Sequence, residues 1–593
     1  MAKLNKQAQM DEYLAALPDC KMEEGLLKRF SENKVYPLSN FLPVPVEEIV
    51  YDDGNTIERF FKITAYKHYG EDVLELNPVL VKAANLSSMN WVSEAWGFEA
   101  NILPPIQAKK DYLRSIICTI GSRWVVRRTV YTHTGWRKID GAWCFLHKGG
   151  AVGGKNVSVE LSNKMSAYDM GGCEATMEEK TQAVINLFII SPKQILYPLI
   201  GIAFLSPLNE FLRQSGFEPA FIMYLLGRTQ TKKSTIAAII LSFFGRFTAS
   251  NLPGSFKDTE NATEKKCHAL KDVLTVIDDY HPVAHYRDRQ NMNKLAQALA
   301  RGFGDRTGKD RMQADTSIRQ GYAPRGNAII TGEDFPQIGQ SGSARNFIIE
   351  LNPGDIPASN ELDKAQEDAA NGLLAAFMCG YIEWLLPQTD DLPERLKASF
   401  LEFRSKSIKE NISGLGRTGD IVAWLQIGMD FFIDYLVNLK AITAAEAKKQ
   451  KDKAWDVLSG LSNLQLERSE EDKPSYMFVD AIKELLQSGK IYVKHHPEET
   501  ESELDRRGEM VGYVDKDNYY FLPANTYCAV AQFYSKQNTV FPLTKTLLFK
   551  QMESEGIIDG ETSGGKKSYA KQKRFGKEKG RYLVIRRELF EED

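Results

Sequence analysis

The stretch GRTQTKKST, residues 227–235, decides how the rest of this chain is read. It follows the apolar run FIMYLL (221–226) and precedes IAAIILSFFGRF (236–247). The order strand, tight loop, helix is the setting in which backbone N–H groups and a helix N-terminus hold phosphates. The pattern for such a loop is G-x-x-x-x-G-K-S/T. Gly227, Lys233 and Ser234 match it, with Arg228, Thr229, Gln230 and Thr231 between them and Thr235 after. Lys232 stands where the second glycine belongs. Alone, the stretch reads either as a nucleotide loop with an added charge or as an ordinary loop with a basic tip.

A second segment narrows the choice. DVLTVIDDY (272–280) is a buried-strand pattern ending in Asp278 and Asp279. Ligands in open α/β sheets bind at the carboxyl ends of the strands. An ATPase needs one acid there for Mg²⁺ and another to position the attacking water. Asp278 is the candidate for the first role, with the Ser234 hydroxyl as the other metal group. Asp279, a shorter arm than the usual Glu, is the candidate for the second. NAIITGE (327–333) reads as a third strand and offers Thr331 at its end; NFIIEL (346–351) reads as a fourth, with Arg345 just before it. An Arg there is placed to reach the γ-phosphate of a neighbouring subunit. Arg417, in GLGRTGD (414–420), is a candidate lid residue over the nucleotide. Strands alternating with helices imply an α/β class with a mostly parallel sheet.

The totals set limits. A chain of 593 residues has room for three or four domains. Its net charge of −3 gives no global basic field, so a nucleic-acid partner must meet local patches. One patch is the segment between the acidic pair and NAIIT, which carries Lys309, Arg311 and Arg319 and is too long for a plain strand connection. The other is near the C-terminus, where Lys571, Lys573 and Arg574 stand among aromatic residues. Two helices, a basic wing and a closing strand there follow winged-helix order. Seven scattered Cys without a C-x-x-C pair fit a reducing, cytoplasmic setting. The start, MAKLNKQAQMDEYLAALPDC, has no apolar core of a signal peptide. The apolar stretch 186–205 contains Pro192, Lys193 and Pro198, so no membrane span is expected.

Other expectations are local. Residues 1 to about 30 read as one polar helix interrupted by Pro18, and 124–153 as a hairpin series turning at HTGW and IDGA. ERSEEDKPS (467–475) reads as a linker. The expected domains are a mixed α/β N-terminal domain over 1–180, an ATPase core over 181–390, a helical lid over 391–466 and a winged-helix DNA-binding domain over 467–593.

Together these features resemble an AAA+ P-loop ATPase. SGSARNFIIEL resembles the arginine-finger segment of minichromosome-maintenance helicases, and the basic segment before NAIITGE resembles their pore hairpin. The stretches TVYTHTGWRKIDGAWCFLHKGG, LPGSFKDTENATEKK and RGNAIITGEDF are similar to MCM-like, self-loading replicative helicases of bacterial mobile elements. The resemblance implies ATP and Mg²⁺ as cofactors, Thr331 as sensor 1, Arg345 as the trans finger and Arg417 as sensor 2. It implies a homo-hexameric ring, single-stranded or forked DNA and origin duplex as partners, and a primase or other replication partner. Two other readings stay open: an ATP-gated DNA-binding initiator without useful hydrolysis, and an ATPase acting on proteins.

Overall fold

The computed structural model describes residues 6–590 except 33, 71, 282–285, 313–317, 320, 337, 339–341, 411–416, 472, 497–507, 538–539 and 564–565. The chain forms two compact units. The first comprises Met1–Phe335, Ile349–Ser405 and Ala423–Leu458, and the second Pro336–Ile348, Lys406–Val422 and Ser459–Asp593.

The centre of the first unit is a five-stranded sheet. Its strands in chain order are β1 (Ile222–Leu226), β2 (Gly254–Ser255), β3 (Leu274–Tyr280), β4 (Asn327–Gly332) and β5 (Asn346–Glu350), of which Ile349 and Glu350 fall within this unit. Their spatial order is β2-β3-β4-β1-β5. β4 therefore separates the loop strand β1 from the acidic strand β3, pairing in parallel with both. The runs IMYLL and NAIITG are almost wholly buried, as strands covered on both faces must be. The sequence offers four of these strands; β2, two residues long, lies below the length that periodicity can detect. Behind the loop runs helix α1 (Lys233–Leu241), whose KSTIAAIIL sequence is apolar nearly all round and buried to match.

The preceding stretch Lys193–Gln214 is apolar and long enough to cross a membrane, but 94% of its most apolar window is buried inside the protein. Pro198 does not break it: the residue is accommodated within the helix Lys193–Leu205. This is a core helix pair of the α/β unit.

The N-terminal part of the same unit holds a second five-stranded sheet. Its order is Ser158–Val159, Val126–Tyr131, Leu42–Asp52, Ile57–Tyr69, Asp72–Lys82. Helix Ile106–Trp124 places Leu113, Ile116, Ile117 and Ile120 in the core that this sheet shares.

Three local expectations change. Among the described residues near the start, only Lys6–Leu14 is helical; Cys20–Glu23 and Leu26–Ser31 are paired strands. Glu24 and Gly25, both at positive φ, make the two-residue turn between them. Val126–Tyr131 does not pair with Gly135–Ile139 across HTGW but joins the other sheet, beside Leu42–Asp52. The HTGW backbone is instead tied to the core: Thr134 N–H donates to Ala269 and Trp136 N–H to Asp272. Finally, the charged run at 467–471 is not a linker. Helix Ala444–Glu471 continues through it, because Glu and Arg propagate a helix, and the next begins at Pro474.

The second unit is built on helices Pro474–Gln487, Pro523–Lys536 and Lys545–Ser554. They accompany a sheet ordered Ile491–His495, Glu509–Val514, Asn518–Phe521, Glu578–Arg586, Lys571–Phe575. Phe478, Ile482, Val530, Leu548 and Leu583 form its core. The basic segment expected as a loop is the edge strand of a hairpin, Lys571–Phe575 paired antiparallel with Glu578–Arg586 and turned at Gly576 (φ 59°).

Candidate functional site

Gly227 ends β1 where no side chain fits. A Cβ there would lie 2.5 Å from the Leu351 carbonyl oxygen and 2.8 Å from Thr231 Oγ1. The loop then turns through Gln230 at φ 71° and Lys232 at φ 62°, ψ 27°. Lys232 thus keeps the left-handed backbone of the glycine it replaces, at a cost of roughly 1–2 kcal/mol. Its carbonyl accepts the first helical bond, from Ile236 N–H at 3.0 Å. Thr231, buried, fastens the turn by donating to the Arg228 carbonyl at 2.9 Å.

Lys233 opens α1 and folds back over the loop. Its ammonium donates to the carbonyls of Gly227 at 2.6 Å and Arg228 at 2.9 Å. Burial lowers its pKa, against the opposing pull of Glu333, Asp278 and Asp279. A phosphate entering the loop would offer this cation charged acceptors in place of carbonyls.

The carboxylate ends of β3 and β4 complete the site. Ser234 Oγ donates to Asp278 Oδ1 at 2.7 Å, and Thr331 Oγ1 donates to the same oxygen at 2.5 Å. Between Ile277 and Tyr280 the β3–β4 register slips by one residue. Asp279 lies in this bulge at φ 73°, and its N–H donates to Thr331 Oγ1 at 3.2 Å. Bulges re-aim side chains. Here the Asp279 carboxylate meets His281 Nδ1 at 3.1 Å and Lys257 Nζ at 3.8 Å.

A cleft of about 330 Å³ lies over these groups, lined by loop residues 229, 230 and 232–235 together with Asp279, Tyr280, Thr331, Gly332 and Glu333. Lys232 therefore faces the same space as Lys233. Glu333 is a site group that the sequence reading passed over. Its exposed carboxylate accepts from Thr229 Oγ1 at 2.5 Å, joining the strand end to the loop. The available signal was its position two residues beyond Thr331.

The remaining expected residues lie elsewhere. Lys309 is exposed, with Nζ 3.5 Å from Glu260. Arg311 and Arg319 are register partners in the short pair Arg311–Met312 and Ile318–Arg319; their side chains, like residues 313–317 and 320, lie outside the described residues. Two neighbouring cations of that segment are structural. Arg306 donates to the carbonyls of Pro219 and Gly326, both at 2.6 Å, and Arg325 to those of His268 and Asp53. Arg345 and Arg417 belong to the second unit: Arg345 N–H donates to Gly342, and Arg417 is the first residue of helix Arg417–Asn438. Residues 414–416 of the expected lid break lie outside the described residues. On the C-terminal hairpin, Lys571 pairs with Asp559 at 2.7 Å, Lys573 lies over the Tyr520 ring, and Arg574 is exposed.

Residues 103–315 match a family described as a domain of unknown function, DUF927. No curated protein sequence matches the chain. The chain shares its fold with the active helicase Cch of SCCmec type IV, with a TM-score of 0.58 and 14% identity over 96% of this chain and 97% of that one. The apo C-terminal region of NrS-1 aligns with a TM-score of 0.27 and 9% identity over 90% and 95% of the two chains, too distant to bear on function.

Proposed function

We propose that the chain is an ATP-driven DNA-unwinding motor of the AAA+ type, acting as a ring in the replication of a mobile element. The observation that carries this reading is the convergence of Ser234, Asp278 and Thr331 at the carboxyl end of the central strands, beside the Lys233 loop. ATP phosphates would lie along residues 227–235, with Lys232 and Lys233 as cations. The Ser234 hydroxyl and Asp278 carboxylate are hard oxygen donors 2.7 Å apart, a set that suits Mg²⁺ completed by phosphate and water. When bound there, Mg²⁺ supplies charge neutralisation at the β- and γ-phosphates. Thr331 is the proposed sensor 1, and it also holds Asp278 and the Asp279 backbone in place.

Arg345 is proposed as the finger acting on the next subunit's nucleotide, and Arg417 as the lid residue. Both roles require a ring, for which a homo-hexamer is the proposed form. Lys309, Arg311 and Arg319 would track one DNA strand on the short hairpin. Lys571, Lys573 and Arg574 would grip duplex or origin DNA from a winged-helix-like wing. A cytoplasmic setting, a primase partner and the division at 1–180, 181–390, 391–466 and 467–593 complete the proposal. The fold shared with the active helicase Cch supports it.

The test is phosphate release with and without single-stranded DNA, together with unwinding of a forked substrate. Lys233→Ala and Asp278→Ala should each lower turnover by about 100-fold or more. DNA binding without phosphate release in the wild type would replace the motor by the second reading, an ATP-gated initiator. That reading is favoured by one observation: the Asp279 carboxylate is engaged by His281 and Lys257.

A further inference from the structure

We infer that Glu333, and not Asp279, is the carboxylate that orients and deprotonates the attacking water in this cleft. The inference rests on the ATPase reading above and names a group in the same site.

Three observations carry it. First, Asp279 is poorly placed for the task. It is one methylene shorter than Glu, it stands in a bulge at φ 73°, and its two carboxylate oxygens face His281 and Lys257. Second, the Thr331 hydroxyl is committed: its proton goes to Asp278, and its oxygen accepts from Asp279 N–H. It is not the group that activates water. Third, Glu333 lines the cleft from the end of β4 and reaches across to the loop. Its N–H donates to the Tyr280 carbonyl at 2.9 Å, which fixes the backbone, while its carboxylate holds Thr229. Thr229 and Lys233 line the same cleft, so Glu333 borders the space that the phosphates of a nucleotide would fill.

The step balances as follows. The water oxygen forms a bond to the γ-phosphorus while the bond from that phosphorus to the β–γ bridging oxygen breaks. The bond electrons leave with ADP. One water proton passes to the Glu333 carboxylate and from there to solvent, and inorganic phosphate is released. A base held within hydrogen-bond reach of the water contributes about 10²–10⁴ in rate. The Thr229 hydrogen bond keeps the Glu333 carboxylate at the loop and must be exchanged for the water when nucleotide enters.

The experiment compares Glu333→Gln and Asp279→Asn in the full chain. It measures steady-state phosphate release with DNA and affinity for a fluorescent ATP analogue. Glu333→Gln should lower kcat by about 100-fold or more. Nucleotide affinity should stay within about threefold of wild type. Asp279→Asn should lower kcat by about tenfold or less. The assignment is overturned if Glu333→Gln keeps kcat within about threefold, or if Asp279→Asn loses as much as Glu333→Gln. Either result would leave the ATPase reading standing. A wild-type chain that binds the analogue and releases no phosphate overturns both. Glu333 is exposed and its carboxylate contacts one side chain, so both variants are expected to fold, which thermal melting checks.

Discussion

Thr331 Oγ1 lies 2.5 Å from Asp278 Oδ1, although 53 residues separate them in the chain. The contact exists because β4 runs parallel to β3 with Ile330 opposite Ile277, so the next residues on the two strands, Thr331 and Asp278, come level. Thr331→Val keeps the shape and removes both hydrogen bonds. Turnover should fall by about tenfold or more, and stability by about 1 kcal/mol. Thr331→Ser should recover most of the turnover. Phosphate release and urea unfolding of the three proteins check this; a Val variant with normal turnover removes Thr331 from the site.

Lys232 occupies a left-handed backbone at φ 62°. Glycine adopts that conformation freely, so Lys232→Gly should raise loop stability by up to about 1 kcal/mol. The same change removes a cation from the cleft, so affinity for ATP should fall by a few-fold, more at low salt than at high salt. Calorimetric titration at two ionic strengths, with thermal melting, separates the two effects.

Asp430 gives the fold a pH dependence of its own. Burial raises its pKa from 3.8 to about 6, against the opposing pull of Lys451 and of the Gln426 hydrogen bond. Its proton is held more tightly in the folded chain, so this contribution is fully present below 3.8 and is lost as pH rises through about 6. Asp430→Asn mimics the protonated form. It should stabilise the protein by about 1–2 kcal/mol near pH 7.5, with the gain shrinking toward pH 4. Melting curves across that range are the measurement, and a gain that does not change with pH would contradict the assignment.

Arg345 precedes β5 in a short turn closed on Gly342. If it acts on a neighbour's nucleotide, Arg345→Ala should keep nucleotide affinity and lose about 10³-fold in turnover. Mixing Arg345→Ala with Lys233→Ala subunits should then restore part of the activity, because some interfaces would pair an intact finger with an intact loop. Full turnover in Arg345→Ala alone would exclude the trans role.

The edge hairpin of the second unit places Lys573 and Arg574 on the strand Lys571–Phe575. Reversing Lys571, Lys573 and Arg574 to Glu should weaken DNA binding uniformly across sequences. It should also reduce the slope of log affinity against log salt by about 2–3. Lys571, paired with Asp559, should contribute least of the three. Fluorescence anisotropy at several salt concentrations reads the slope, and an unchanged slope would remove the wing from the DNA path.

The sequence by itself determined the elements whose signal is local. Apolar runs ending in Gly227, in Asp278–Asp279 and in Thr331 identify three strands and the loop, because buried parallel strands are short, apolar and sharply bounded. It also offered Lys233, Ser234 and Asp278 as candidate site groups, since phosphate chemistry needs those residue types at that spacing. Tertiary structure decided what depends on pairing between distant segments. The order β2-β3-β4-β1-β5 places Thr331 against Asp278, and two-residue β2 has no pattern to read. The one-residue bulge turns Asp279 toward His281 and Lys257, and no local propensity records a register slip. Backbone partners made Arg306 and Arg325, two cations of the basic segment, structural. Glu333 became a member of the site only through Thr229, 104 residues earlier in the chain. A side chain's charge is written in the sequence; the carbonyl or carboxylate that it meets is fixed by strand order.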